Sequence, residues 1–421
     1  MQGGRSIWGN LKVGMRRLRR LTVQASVVIA VCVLSGYLPH EQAMACAVGH
    51  TCGGPPPPSC PSLPSPGTWI VLNNDYTRDT PAAAVFDGNV YLAWTGTNAS
   101  HSVIVANSCD GLHFGTPVVY GTNTSFSGPG LAAFNGYLWL AWSTTGYRTN
   151  SNGTITDIDL AHSSDGLHFQ DKFLIGTQQE FDSYTGPALA AANGQLYIAW
   201  AGSGSDVYHM LHIASSVDGL NFSDPQIYGL PLWDNANDAG RWPGIVCNSV
   251  SGGPCTVNEP WVGISYSNGQ FNPTAGGNWW GFIKSLIFGT PSVSIDSPTL
   301  AVEPGSTLLW GGTGLSPTSQ FDAIYVNGAP LISLLPGETS TTGIGLTTLG
   351  NTLFVAWVPR GSNDIQIYEY QINNGNYTLI KKVNTGHPCE GNPTLLTFNG
   401  HVYMYWMATN AQNSLIAEFV Q

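Results

Sequence analysis

The chain has 421 residues, of which 9% are charged and 43% apolar, with 51 glycines and a formal net charge of −11. Six of its 14 basic residues fall in the first twenty positions; removing these and Glu41, the acid of the first forty-five residues, leaves −16 on the remainder. So acidic a remainder offers no basic patch and argues against nucleic acid or anionic lipid as a partner.

Residues 1–45 read as an export signal. Arg16, Arg17, Arg19 and Arg20 precede an apolar run from Leu21 to Leu38, and Ala43-Met44-Ala45 forms a small-x-small cleavage pattern. A retained membrane anchor is one alternative, since the run reaches the lower end of spanning length. Another is acylation of Cys46, at the position where bacterial lipoproteins are lipidated. Residues 46–67, "CAVGHTCGGPPPPSCPSLPSPG", have the composition of an extended tether that includes Cys52 and Cys60. Cysteine usage suits an oxidising compartment. Further on, Cys247 and Cys255 bracket a short loop that one disulfide would close, contributing ~2–3 kcal/mol.

From residue 68 to 421 the chain repeats itself. "PAAAVFDGNVYLAWTG" (81–96), "PGLAAFNGYLWLAWST" (129–144) and "PALAAANGQLYIAWAG" (187–202) are followed by looser copies at 346–361 and 393–408. Each is a short strand, an Asn-Gly or Asp-Gly type turn, and a second strand ending near tryptophan. Trp94, Trp142, Trp200, Trp310, Trp357 and Trp406 count the units, with room for one more between Trp200 and Trp310. Four short strands every ~45 residues predict an all-β β-propeller, seven-bladed by this count with six as the alternative. The last unit lacks a fourth strand. The stretch "TWIVLNN" at 68–74 is expected to supply it and close the ring.

A second motif recurs out of phase with the first: "SCDGLHF" (108–114), "SSDGLHF" (163–169) and "SVDGLNF" (216–222). In this register it falls between the third and fourth strands, where Asp beside Gly supplies a side-chain acceptor and a positive-φ position. Ser108, Asp110, Ser163, Asp165, Ser216 and Asp218 are therefore read as structural corners. Phe114, Phe169 and Phe222 are expected to pack between blades.

The motif resembles the Asp box of sialidase-like propellers, Ser-x-Asp-x-Gly-x-x-Trp/Phe, although Asp and Gly are adjacent here. The resemblance implies a propeller whose Asp boxes lie away from the ligand site. It also implies, for a sialidase, three arginines on the substrate carboxylate, a Tyr/Glu nucleophile pair and an acid/base Asp. Arg241-Trp242-Pro243 matches the spacing of that family's Arg-Ile-Pro motif, whereas Arg78-Asp79-Thr80-Pro81 is one residue longer. Arg360 is the third candidate, and Tyr184 with Glu390 or Glu259 would form the pair. A family of six blades sits uneasily with a count of seven.

Propeller ligands bind where the first strands begin. The residues ahead of those strands gather Arg78, Asp79, Asp182, Tyr184, Arg241, Trp242, Asp296 and Glu390 in a chain with few charges. Asp79, Asp182, Tyr184, Asp296 and Glu390 are the catalytic candidates. Two carboxyls among them would suit glycoside hydrolysis, one as acid and one as nucleophile or base. Arg78, Arg241, Trp242, Arg360, Trp279 and Trp280 are the ligand-binding candidates, the tryptophans offering faces on which sugars stack. Gly-x-Ser-x-Gly, phosphate-loop, HExxH and EF-hand patterns are missing from the sequence, and neither metal nor cofactor is expected. The expectation is a secreted or surface-held propeller that binds extracellular glycan, with a sialidase-like glycosidase and a protein-interaction scaffold as alternatives.

Overall fold

The computed structural model describes residues 60–77, 80–125, 127–144, 148–150, 153–174, 182–183, 186–192, 194–201, 211–223, 226–228, 244–246, 261–264, 272–275, 299–303, 307–313, 321–326, 329–330, 344–359, 361–374, 376–410 and 413–421. All regular structure among them is β, in seven antiparallel sheets. After β1 (Thr68–Tyr76), one sheet holds β2 (Ala82–Phe86), β3 (Asn89–Thr95), β4 (Ser102–Ser108) and β5 (Val118–Thr124). The next holds β6 (Gly130–Phe134), β7 (Tyr137–Ser143), β9 (Gly153–Ser163) and β10 (Gln170–Leu174), with the short β8 (Arg148–Asn150) and β11 (Asp182–Ser183) both paired to β9.

A third contains β12 (Ala188–Ala192), β13 (Gln195–Ala201), β14 (Leu211–Ser216) and β15 (Gln226–Tyr228). The fourth has three strands, β16 (Gly244–Val246), β17 (Trp261–Ile264) and β18 (Asn272–Ala275), so "GIV" opens this sheet and "WVGI" follows it. Then come β19 (Thr299–Glu303), β20 (Thr307–Thr313), β21 (Phe321–Val326) and β22 (Ala329–Pro330). The sixth sheet is β23 (Gly345–Leu349), β24 (Thr352–Trp357), β25 (Asp364–Asn373) and β26 (Asn376–Pro388). The last is β27 (Thr394–Phe398), β28 (His401–Met407) and β29 (Ser414–Phe419), and β1 completes it.

Local chemistry explains the strand order. Asp87-Gly88, Asn135-Gly136 and Asn399-Gly400 all have positive φ at both residues, as a two-residue type I′ hairpin demands. Each turn folds the first strand of a sheet onto the second. The first strands also touch one another in sequence, β2 with β6, β6 with β12, β12 with β16, β16 with β19, β19 with β23, β23 with β27, and β27 with β2. Between β27 and β2, Thr394 Oγ1 donates to the Pro81 carbonyl at 2.9 Å.

Three of the repeating tryptophans fill seams between sheets. Trp94 packs with Tyr405, Leu415 and Ala417 of the last sheet, Trp142 with Tyr91, Val103 and Val105, and Trp406 with Phe354, Ile365 and Ile367. All three are essentially inaccessible to water. A buried indole removes roughly 150–250 Å² from solvent, so these seams hold much of the hydrophobic stabilisation.

The three Ser-x-Asp-Gly segments are turns with one hydrogen-bond plan, between β4 and β5, β9 and β10, and β14 and β15. In the first, Asp110 Oδ1 accepts from Leu112 N (2.9 Å), His113 N (2.7 Å) and Ser108 Oγ (2.8 Å), while Gly111 N donates to Ser108 Oγ (2.9 Å). Asp110 Oδ2 lies 2.6 Å from His113 Nδ1, as Asp165 Oδ2 lies 2.6 Å from His168 Nδ1; in the third turn Asn221 Nδ2 takes that place at 2.8 Å. Burial alone would raise the Asp110 carboxyl, but its hydrogen bonds together hold it below the usual range.

Each turn rests on an aromatic of the preceding sheet. Tyr405 Oη donates to Gly111 O and Tyr91 Oη to Asp165 O, both at 2.9 Å. Phe114 meets Tyr405, and Phe169 meets Tyr120, edge to face at 5.8 and 5.7 Å.

The segment ahead of β1 is attached to the sheets. Cys60 forms a disulfide with Cys109, the second residue of the first turn, and Gly67 N donates to Phe419 O at 2.7 Å. Leu63 packs on the cluster that contains the fully buried Leu112. No spacing in the sequence signals this pairing. Cys247 and Cys255 lie outside the described residues.

One buried carboxyl lacks compensation. Glu418, on β29, is 4% exposed, and its Oε2 has no hydrogen-bond partner among the described residues. It stands in register with Met404 and Trp69. Burial pushes its carboxyl up to about 7. Glu369, by contrast, is paired with Lys381 Nζ at 2.7 Å.

Two outcomes follow from this packing. Gly166 has φ +78°, and a Cβ there would overlap the Tyr91 ring, whereas Gly136 has φ +75° and open space around it. In urea unfolding, Gly166→Ala should cost about 2–4 kcal/mol and Gly136→Ala only about 1 kcal/mol. For Glu418, a folded pKa raised from 4.5 to about 7 means the fold favours the protonated acid. The associated stability is present below pH 4.5 and is lost as pH rises through about 7. Glu418→Gln should therefore unfold like wild type at pH 4 and gain on the order of 3 kcal/mol at pH 8, read from melting curves.

Candidate functional site

The hairpins and Ser-x-Asp-Gly turns share one end of the sheets. At the other end the first strands start and the second strands finish, just past the tryptophans. There the chain is fastened by a recurring bridge, Thr77 with Gly96, Ser125 with Thr144, and Cys389 with Ala408. In each case the second partner lies two residues after the repeat tryptophan, and the first lies four before the proline that leads into a first strand. Each bridge thus fixes the backbone directly ahead of the segment that ends in that proline, "RDTP", "FSGP" or "EGNP" in the sequence. Glu390 lies in the last of these segments.

Over the second sheet the corresponding segment is lined with hydroxyls. Thr95 Oγ1 donates to Ser127 O at 2.7 Å, Ser125 Oγ to the same carbonyl at 2.5 Å, and Ser127 and Ser143 share a hydroxyl hydrogen bond of 2.9 Å. Thr144 donates to Asp157 O through both its N–H (2.8 Å) and its Oγ1 (3.2 Å). All five hydroxyl residues are buried.

Asp157 is the residue that sequence reasoning missed. It lies on β9, and the β9–β11 ladder sets it directly opposite Asp182, a catalytic candidate, with Thr156 opposite Ser183. Two acids therefore stand at one register position. Asp159, two residues along the same strand, is 1% exposed and opposes Trp142. In the sequence "TDIDLAHS" reads as an ordinary strand. Only the return of residues 182–183 across it reveals the juxtaposition.

Of the remaining candidates, Glu390 is exposed, with its N–H donating to Met407 O at 2.9 Å. Arg78, Asp79, Tyr184, Arg241, Trp242, Trp279, Trp280, Asp296 and Arg360 lie outside the described residues. The Ser-x-Asp-Gly acids Asp110, Asp165 and Asp218 lie at the opposite end of the sheets from Glu390 and Asp157. Among the described residues no group of three or more His, Cys, Asp or Glu is placed to hold a metal ion.

Cys389, beside Glu390, is unsuited to nucleophilic work. It is buried, its Sγ donates to Gly391 O at 3.3 Å, and burial followed by the Glu390 charge keeps its thiol well above the ordinary range.

No protein-family model matches the sequence, and no curated protein does. Solved structures do resemble it. The polysaccharide lyase Uly1 aligns with a TM-score of 0.50 at 9% identity, covering 82% of this chain and 90% of the lyase. A GH93 alpha-L-arabinofuranosidase of Fusarium graminearum aligns at 0.49 with 14% identity, over 84% of this chain and 98% of the enzyme. The Trypanosoma rangeli sialidase aligns at 0.42 with 8% identity, over 84% and 58%. The lyase likeness bears on fold alone and agrees with an all-β β-propeller architecture for the described sheets. The two weaker alignments are too distant to bear on either fold or chemistry.

The environment of Cys389 has a direct readout. Native protein at pH 8 should leave Cys389 unmodified by iodoacetamide over hours, and denatured protein should be alkylated within minutes, as peptide mass spectrometry would record.

Proposed function

We propose that this chain is an exported seven-bladed propeller, closed by β1, that binds extracellular glycan at the mouth of its central channel. The observation that carries the reading is the gathering of polar groups at one end of the sheets. The bridges at Thr77, Ser125 and Cys389, the buried hydroxyls beside them and the Asp157–Asp182 register all lie at this end and support the reading. The cyclic run of first-strand contacts and the β1–β29 pairing support seven blades in a ring. The Cys60–Cys109 disulfide and the basic-apolar-small start of the chain support export.

In this reading Trp242, Trp279 and Trp280 stack on sugar faces, and Arg78, Arg241 and Arg360 orient anionic or hydroxyl groups. A fold shared with a polysaccharide lyase makes saccharides the first ligand class to test. On a glycan array, Trp242→Ala should lower retention at least tenfold, and Asp165→Ala should lower stability while leaving retention intact. Equal retention by wild type and the Trp242 variant would remove the reading.

The opposed acids on β9 and β11 favour a second reading, glycoside hydrolysis. Two acids at one register position suit general acid and base or nucleophile roles, with Asp79, Tyr184, Asp296 and Glu390 as further candidates. Release of reducing sugar from a mixed glycan panel, abolished in an Asp157→Asn/Asp182→Asn double variant, would support it. Absence of turnover across the panel would leave binding.

A further inference from the structure

The covalent bond at Cys60 does not join the sheet that the N-terminal strand completes. β1 lies at the edge of the last sheet against β29, whereas Cys109 sits in the turn after β4, in the sheet of β2–β5. A chain traced from its start therefore meets the disulfide before it meets the closing strand. We propose that Cys60–Cys109 is a mechanical clamp, which diverts tension arriving along residues upstream of Cys60 into the sheet of β2–β5 and keeps it off β1.

The geometry of the two attachments differs in the way this role requires. β1 has one strand neighbour, and its ladder with β29 runs from Thr68 opposite Phe419 to Val71 opposite Ile416 before becoming irregular towards Tyr76. Tension applied just ahead of Thr68 would fall on the terminal pair, and the hydrogen bonds would open one after another. Cys109 follows β4, which is flanked on both sides by β3 and β5. Its turn is tied down by the Ser108–Asp110 hydrogen bonds, by Tyr405 Oη on Gly111 O, and by the fully buried Leu112. Tension entering there meets two ladders and a packed core at once. Between the clamp and β1, the Gly67 N–H to Phe419 O hydrogen bond stays unloaded.

The test is single-molecule stretching of the full chain, folded under oxidising conditions and held by its N-terminus and Gln421. Wild type is compared with and without reductant, and with Cys109→Ser. Once the clamp is gone, the first event should come at low force and add a short step, about 5 nm (the contour of residues 61–76 at ~3.4 Å each) less the span those residues already cover when folded. With the clamp intact that event should vanish, and the first rupture should occur at distinctly higher force, since β29 must leave two neighbours. Should Cys109→Ser fail to fold, reductant added to molecules already folded and held gives the same comparison. That short first event at the same force in oxidised and reduced molecules would overturn the proposal, as would its absence from both.

Discussion

The backbone pairing of β1 with β29 is the constraint on which the remaining architecture leans. Nearly every other ladder in the molecule joins strands a few residues apart, through turns that fold on their own local preferences. This one joins residues near 70 to residues near 417. Without it the last sheet would end at β29, with a row of unpaired N–H and C=O groups along a strand that is otherwise buried. Leu72 would leave the cluster that surrounds Trp94 and Tyr405, so the seam between the last sheet and the sheet of β2–β5 would lose packing as well as hydrogen bonds. The entropic cost of such a distant closure grows only slowly with length, but closure must wait for the ends to be presented correctly.

Carboxyl groups in the fold divide by how they are satisfied, and the two kinds pull stability in opposite directions with pH. The Ser-x-Asp-Gly acids accept several hydrogen bonds each, which favours their ionised form; for Asp110 these outweigh a burial that acts the other way. Their contribution is present above the ordinary carboxylate range and fades as acid protonates them. Glu418 has burial without partners and favours its protonated form. Acid thus loosens the turns while base burdens the last sheet, and the fold is best satisfied between the two.

Much of this architecture was legible because its determinants are local. Asp-Gly and Asn-Gly between alternating apolar runs need positive φ at both residues, and Asp87, Asn135 and Asn399 adopt it. The spacing of the repeat tryptophans was enough to count the units, and each of Trp94, Trp142, Trp200, Trp310, Trp357 and Trp406 lies on the second strand of a sheet. The position of "SxDG" between third and fourth strands followed from counting strands, although the stacking of each turn on an aromatic of the preceding sheet did not. What stayed hidden is non-local. The partner of Cys60 is 49 residues away with no spacing rule to announce it, and Asp157 met Asp182 only through a two-residue strand that folds back over β9. Site chemistry of that kind depends on where loops return, which patterns of apolar residues do not encode.

The side chain between Ser and Asp takes no part in the first turn's hydrogen bonding, which the Ser108, Asp110 and His113 side chains and four following N–H groups supply. Cys109, Ser164 and Val217 occupy that slot in three otherwise equivalent turns. The motif thus contains one free variable, and a covalent anchor has been written into it once without disturbing the turn. Any blade bearing this turn offers the same vacancy for a new attachment, at no expense to the turn's own hydrogen bonds.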